Sequence, residues 1–220
     1  LTGQTKALGN GYLTTWMQLN ADGTPAALGV SFPESTLHDL PARNTVVELV
    51  FPFEVYKTPF THFTADWNPR GHIPAGTYDL SHFDFHFYLL MPDEREMITA
   101  TGENLALVEK RPDAAYIPHG YVATPGGEPR MGAHWVNPAS PEFHGQPFTQ
   151  TLIYGFYDGR MAFIEPMITH AYLLTHPVMT APIPQPQAYL SRDYYPTAYV
   201  VQYDALNRLY TVALTGFVKR

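Results

Sequence analysis

The sequence has no cysteine. Disulfides, thiolate-bound metals and cysteine nucleophiles are thereby excluded, and any metal must be held by nitrogen and oxygen. Charge is also scarce: Asp, Glu, Lys and Arg make up 15% of the 220 residues, against roughly a quarter in an average soluble domain. The 13 Lys and Arg are spread thinly through a chain of net charge −7. No basic stripe exists to neutralise phosphates, which argues against nucleic-acid binding. No apolar run approaches the roughly 18 residues that span a bilayer as a helix. The chain also has no G-x-S-x-G elbow, no phosphate-binding glycine loop and no H-E-x-x-H helix, so the common nucleophile, nucleotide and zinc-protease signatures are absent.

What is plentiful is aromatic side chains and proline: 15 Tyr, 13 Phe, 3 Trp and 21 Pro, with 45% hydrophobic residues overall. That mixture predicts a turn-rich, mainly β protein with an ample core. Tyr12 to Leu19 and Ala26 to Phe32 flank Asn20-Ala21-Asp22-Gly23 and read as a hairpin. Thr45 to Phe51 and Phe60 to Trp67 read as strands, the second ending in the turn signal Asn68-Pro69-Arg70-Gly71. Thr149 to Tyr157 and Arg160 to Pro166 flank Asp158-Gly159, and Tyr199 to Tyr203 with Leu209 to Phe217 form a last hairpin. Short helices are predicted from Pro92 to about Thr101, over Glu103 to Glu109, and over Thr169 to Thr175. The expectation is a β-barrel or sandwich of antiparallel hairpins with about three short helices. It is organised either as an N-terminal β region (1–102) and a C-terminal β region (103–220) or as one continuous domain.

One stretch carries chemistry. In Ser81 to Met91, His82, Asp84 and His86 alternate with Phe83, Phe85 and Phe87, so an extended strand puts three potential metal ligands on one face and three rings on the other. The bland alternative is an edge strand whose histidines bond to loops. His134 follows Gly132-Ala133, and Glu165 is embedded in the apolar run Phe163 to Met167. A buried carboxylate there needs either a cation or an arginine such as Arg130 or Arg160. His134 is otherwise a core histidine donating to a carbonyl beside Trp135. His82, His86, His134 and Glu165 together make a ligand set suited to Zn, Fe, Mn or Cu, with Asp84 as a further ligand or the general base. His82 and His86 would lie about 13 Å apart along a regular strand. Either one of them pairs with Asp84, or a bulge brings them together. His119, Tyr88 and Trp135 are candidate neighbours behind the ligands.

Three segments, His82 to Tyr88, Met131 to Pro138 and Phe163 to Thr169, resemble an uncharacterised bacterial family typified by a Thermus protein under an extracytoplasmic sigma-E/anti-sigma-E pair. Leu8 to Gly11, Thr15-Trp16, Gly29 to Phe32, Asp66 to Pro69 and Gly71-His72 fit the same family. The resemblance implies an exported, stress-regulated, homo-oligomeric β protein, in a closed assembly, and assigns no reaction. Leu1 in place of an initiator methionine is in keeping with a removed leader. The ligand types also resemble those of cupins, although the cupin H-x-H spacing is not present. The expected function is an extracytoplasmic metal-binding protein, acting as an enzyme on a small organic substrate. The alternative is an oligomeric structural or binding protein in which the histidine cluster is structural.

Overall fold

The computed structural model describes residues 1–220. The first half contributes β1 (Thr2–Leu8), β2 (Gly11–Leu19), β3 (Pro25–Pro33), β4 (Thr45–Val50), β5 (His62–Asn68) and β6 (His82–Tyr88). Two short helices follow, α1 (Pro92–Glu96) and α2 (Leu105–Val108), then β7 (Val122–Ala123), β8 (Ala133–Val136), β9 (Gln150–Tyr157) and β10 (Arg160–Thr169). The chain closes with α3 (His170–Leu173), β11 (Val178–Pro182), β12 (Tyr194–Tyr195), β13 (Ala198–Asp204), β14 (Leu209–Thr215) and β15 (Val218–Lys219).

These strands form a sandwich, not a barrel. One sheet has the order β1-β2-β3-β14-β13-β11 and the other β4-β5-β6-β10-β9-β8-β7, both antiparallel and open, with a small β12-β15 pair. Each large sheet takes strands from both sides of residue 102. The expected hairpins are in place, and Asp158 and Gly159 both adopt positive φ (50° and 72°), the conformation a two-residue β9–β10 turn requires. The helices are shorter than expected. α1 ends at Glu96, residues 102–104 form only a 3-10 turn before α2, and α3 spans four residues. Helices this short draw their stability from packing on the sheets, since nucleation alone is unfavourable.

The core lies between the sheets. Phe83, Phe85 and Phe87 of β6 face it, and Phe85 stacks on Phe32 of β3 with centroids 6.2 Å apart. β6 is central, paired to β5 on one side and β10 on the other, which removes the edge-strand reading. The opposite face of this sheet is buried as well. Tyr78, from the segment between β5 and β6, and Phe148, from the segment between β8 and β9, form a small apolar cluster there with Ile153 and Met167. Under these two segments lies an unusual layer of polar side chains: His62, Thr64, Asp66, Asn68, His82, Asp84, His86, Glu165 and Thr169, all buried.

Candidate metal centre

Sheet register decides which of these side chains meet. Phe163 pairs with Tyr88 and Ile164 with Phe87, so the next step along β10 brings Glu165 beside His86. The registered pairs then skip Glu165 and Pro166 and resume at Met167 and Asp84. Proline has no N–H to give the ladder, and the interruption falls at the carboxylate. From β8, His134 pairs across to Gly155 of β9. Gly155 in turn faces Phe163, where an added Cβ would lie 2.1 Å from the ring. Only glycine lets Phe163 lie flat enough to pack edge-on against both His86 (4.8 Å) and His134 (5.4 Å).

The result is a group of two histidines and one carboxylate. His86 Nε2 lies 3.5 Å from Glu165 Oε1, and His134 Nε2 lies 3.9 Å from Glu165 Oε2. Two donors each about 2.1 Å from one ion can be at most about 4.2 Å apart, so these separations fit a shared cation. His86 Nε2 and Glu165 Oε2 are buried without a hydrogen-bond partner. The other ring nitrogen of His86, Nδ1, faces Thr64 Oγ1 at 3.3 Å and Asp66 Oδ1 at 3.8 Å, partners that would orient a metal-bound imidazole. Burial pushes His86 down to about 3 and His134 to about 4, and raises Glu165 well above the usual carboxylate range, with the charges of Asp84 and Asp66 adding to the rise. Two neutral imidazoles and a carboxylate that ionises only with help are what a cation site presents before it is filled. The arginine alternative for Glu165 does not hold, because Arg130 pairs with Glu96 and Glu48 and Arg160 with Glu94.

His82 lies elsewhere. The expected four-ligand set is divided: His86, His134 and Glu165 come together, while His82 joins Asp84 and His72 in a second group. β6 bears no bulge between His82 and His86, as its unbroken pairing with β5 shows, so the strand's rise keeps the two imidazoles apart. Asp84 Oδ1 lies 3.0 Å from His82 Nε2, and Oδ2 lies 3.3 Å from His72 Nε2 and accepts from Asn68 Nδ2 at 2.7 Å. Burial raises the Asp84 pKa, but His72 and His82, when protonated, outweigh it and hold the carboxyl well below its usual range. Such a carboxylate is a charge partner or ligand and a weak proton acceptor.

Of the other candidates, Tyr88 stacks on His86 (5.4 Å) and on His62 (4.6 Å, 3° between planes), under the Arg95 guanidinium. Trp135 points to the opposite face from His134 and packs on Phe156 in the core. His119 is exposed, its backbone N–H donating to Gln185, and joins neither group. Sequence reasoning missed His72, Asn68, His62 and Asp66. A signal for His72 was available: the turn after Asn68 sends the chain back antiparallel, and Asn68 pairs with His82, so a residue soon after the turn can reach the start of β6.

Residues 20–67 match the TTHB210-like family model, described as hypothetical protein TTHB210. The match runs from the β2–β3 turn to the penultimate residue of β5. It includes His62 and Asp66 of the polar layer but stops short of β6, β8 and β10. It agrees with the resemblance to the Thermus-typified family over this part of the chain. No curated protein and no solved structure matches the chain. No helix is long and apolar enough to cross a membrane.

Proposed function

We propose that this protein binds a divalent transition metal, of the class Zn, Fe, Mn or Cu, through His86, His134 and Glu165. The observation that carries the reading is the pair of buried, unpartnered atoms, His86 Nε2 and Glu165 Oε2, converging with His134 on one point. An unsatisfied buried polar atom costs on the order of 1–3 kcal/mol, and one cation relieves them together. Three protein donors leave coordination open, and the His134 side chain is 19% exposed, so a small oxygen-bearing ligand can reach the metal from solvent. A metal held this way would polarise such a ligand as a Lewis acid. That supports a metal-dependent enzyme on a small organic substrate over a purely structural role. Two surface cavities, one lined by residues such as Lys57 and Arg192 and the other by Leu89 and Tyr189, lie away from this site.

The test is elemental analysis of protein purified without a histidine tag or chelator, with its mass in solution measured on the same sample. About one metal per chain fewer in His86→Ala than in the wild type supports the reading; equal metal in both sinks it. The expectation of an exported homo-oligomer rests on the sequence resemblance alone, and the same mass measurement tests its oligomeric part.

A further inference from the structure

The second group in the polar layer has a chemistry of its own. His82 Nδ1 lies 2.7 Å from the Leu80 carbonyl and His72 Nδ1 lies 2.7 Å from the Ile73 carbonyl. A carbonyl only accepts, so each imidazole spends its Nδ1–H on the backbone, and each neutral ring then turns an Nε2 lone pair toward Asp84. Lone pairs of two imidazoles cannot face the two oxygens of one carboxylate unless positive charge lies between them. That charge is either protons, on the rings or on the carboxyl, or a cation. The alignment at His82 separates the two. Its Nε2 and Asp84 Oδ1 are 3.0 Å apart, yet neither has a hydrogen-bond partner, and the His82 side chain is wholly buried. A proton on this nitrogen would not point at the oxygen. The donor atoms of His72, His82 and Asp84 instead lie within 4.8 Å of one another, close enough to border one position.

We propose that His72, His82 and Asp84 form a second divalent-cation site, and that its cation fastens the segment between β5 and β6 onto the outer face of the sheet. His82 and Asp84 come from the rigid strand β6. His72 comes from the crossing segment, and its side chain is 35% exposed, so this ligand can swing in or out while the other two stay fixed. The same segment carries Tyr78, whose ring packs on Phe148 (4.9 Å) and whose hydroxyl donates to Glu142. Fastening His72 therefore also holds the two covering segments together over the polar layer. Donors of two nitrogens and one carboxylate select borderline transition ions such as Zn²⁺ over Ca²⁺ or Mg²⁺. This site does not depend on the first, since the two share no ligand.

The test counts zinc. Protein stripped with a chelator, which is then removed, is loaded with Zn²⁺ alone, and zinc per chain is measured in wild type, His72→Ala, Glu165→Gln and the double variant. The expected counts are about two, one, one and none. A count that His72→Ala leaves unchanged, or a wild type that takes up no zinc, overturns the second site. A count that falls by one in His72→Ala but not in Glu165→Gln overturns the first site and upholds the second. Limited proteolysis of the β5–β6 segment tests the fastening. At free zinc about ten times Kd, cleavage in wild type should slow about tenfold. Cleavage that zinc does not slow, or slows equally in His72→Ala, overturns it. His72 lies on a half-exposed loop, so this variant leaves the sheets intact.

Discussion

Filling the His86–His134–Glu165 site should release a proton, and the structure says from where. At pH 6 the two imidazoles are already neutral, because burial has pushed His86 to about 3 and His134 to about 4. They bind a cation without giving anything up. Glu165 is the reverse case: burial and the nearby Asp84 and Asp66 raise its pKa well above the usual carboxylate value, which favours the protonated acid in the metal-free protein. A cation must displace that proton. In a His72→Ala background, which isolates this site, zinc binding at pH 6 should release about one proton per chain. Apparent affinity should then rise about tenfold per pH unit for as long as Glu165 is protonated in the free protein. The assay is calorimetric titration in buffers of differing ionisation enthalpy, where the slope of heat against buffer enthalpy counts protons. Glu165→Gln should abolish both the zinc heat and the proton release. Zinc binding with no proton released would mean that Glu165 is already ionised in the metal-free protein, and would refute the reasoning from its buried, raised pKa.

Further outcomes follow from the same layer and from the core around it. Glu165→Gln should be no less stable than wild type when both are metal-free at pH 6, since it replaces a protonated acid by a neutral shape-match, and a chemical denaturation series checks this. Metal-free stability should also depend on pH in a definite sense. His62, His86 and His134 have folded values lowered to about 4, 3 and 4, so the unfolded chain binds more protons, and stability rises as pH increases from about 3 to 6.5. Asp66, raised by burial to about 7, and Glu165, raised well above its usual range, work oppositely: each contribution is full below about pH 4 and is lost as pH rises toward the folded value. Melting curves across this range should therefore show stability growing up to about pH 6.5, by less than three histidines alone would give. Gly155→Ala should cost roughly 1–3 kcal/mol and weaken zinc binding, because the new methyl displaces the Phe163 ring that wedges His86 and His134. Phe85→Ala, which empties a fully buried core position between the sheets, should cost roughly 3–5 kcal/mol in a single unfolding transition. Two separate transitions would speak for independent N- and C-terminal domains.

The alternation of His82, Asp84 and His86 with phenylalanines needed nothing beyond the sequence to predict a strand with a polar face and an aromatic face. That pattern repeats every two residues and is visible within seven. The β-rich class, the Asp158-Gly159 hairpin and the oddity of Glu165 in an apolar run were legible for the same reason: each is a conflict or agreement among near neighbours. The partition of the ligands was not. Which imidazole meets which carboxylate depends on the pairing of β6 with β10 and of β9 with β8. It depends also on how the chain after Asn68 crosses the sheet to deliver His72. These are contacts between residues tens of positions apart. His82 and His86 share one face of the strand, and their four-residue spacing already put them about 13 Å apart at a rise of about 3.3 Å per residue; the unbroken β5–β6 pairing keeps that separation. His82 pairs with Asp84 on its own strand, an option the two-residue spacing already offered, while His86 meets Glu165 and His134 across the sheet and His72 arrives from the crossing loop, where only tertiary structure brings them together.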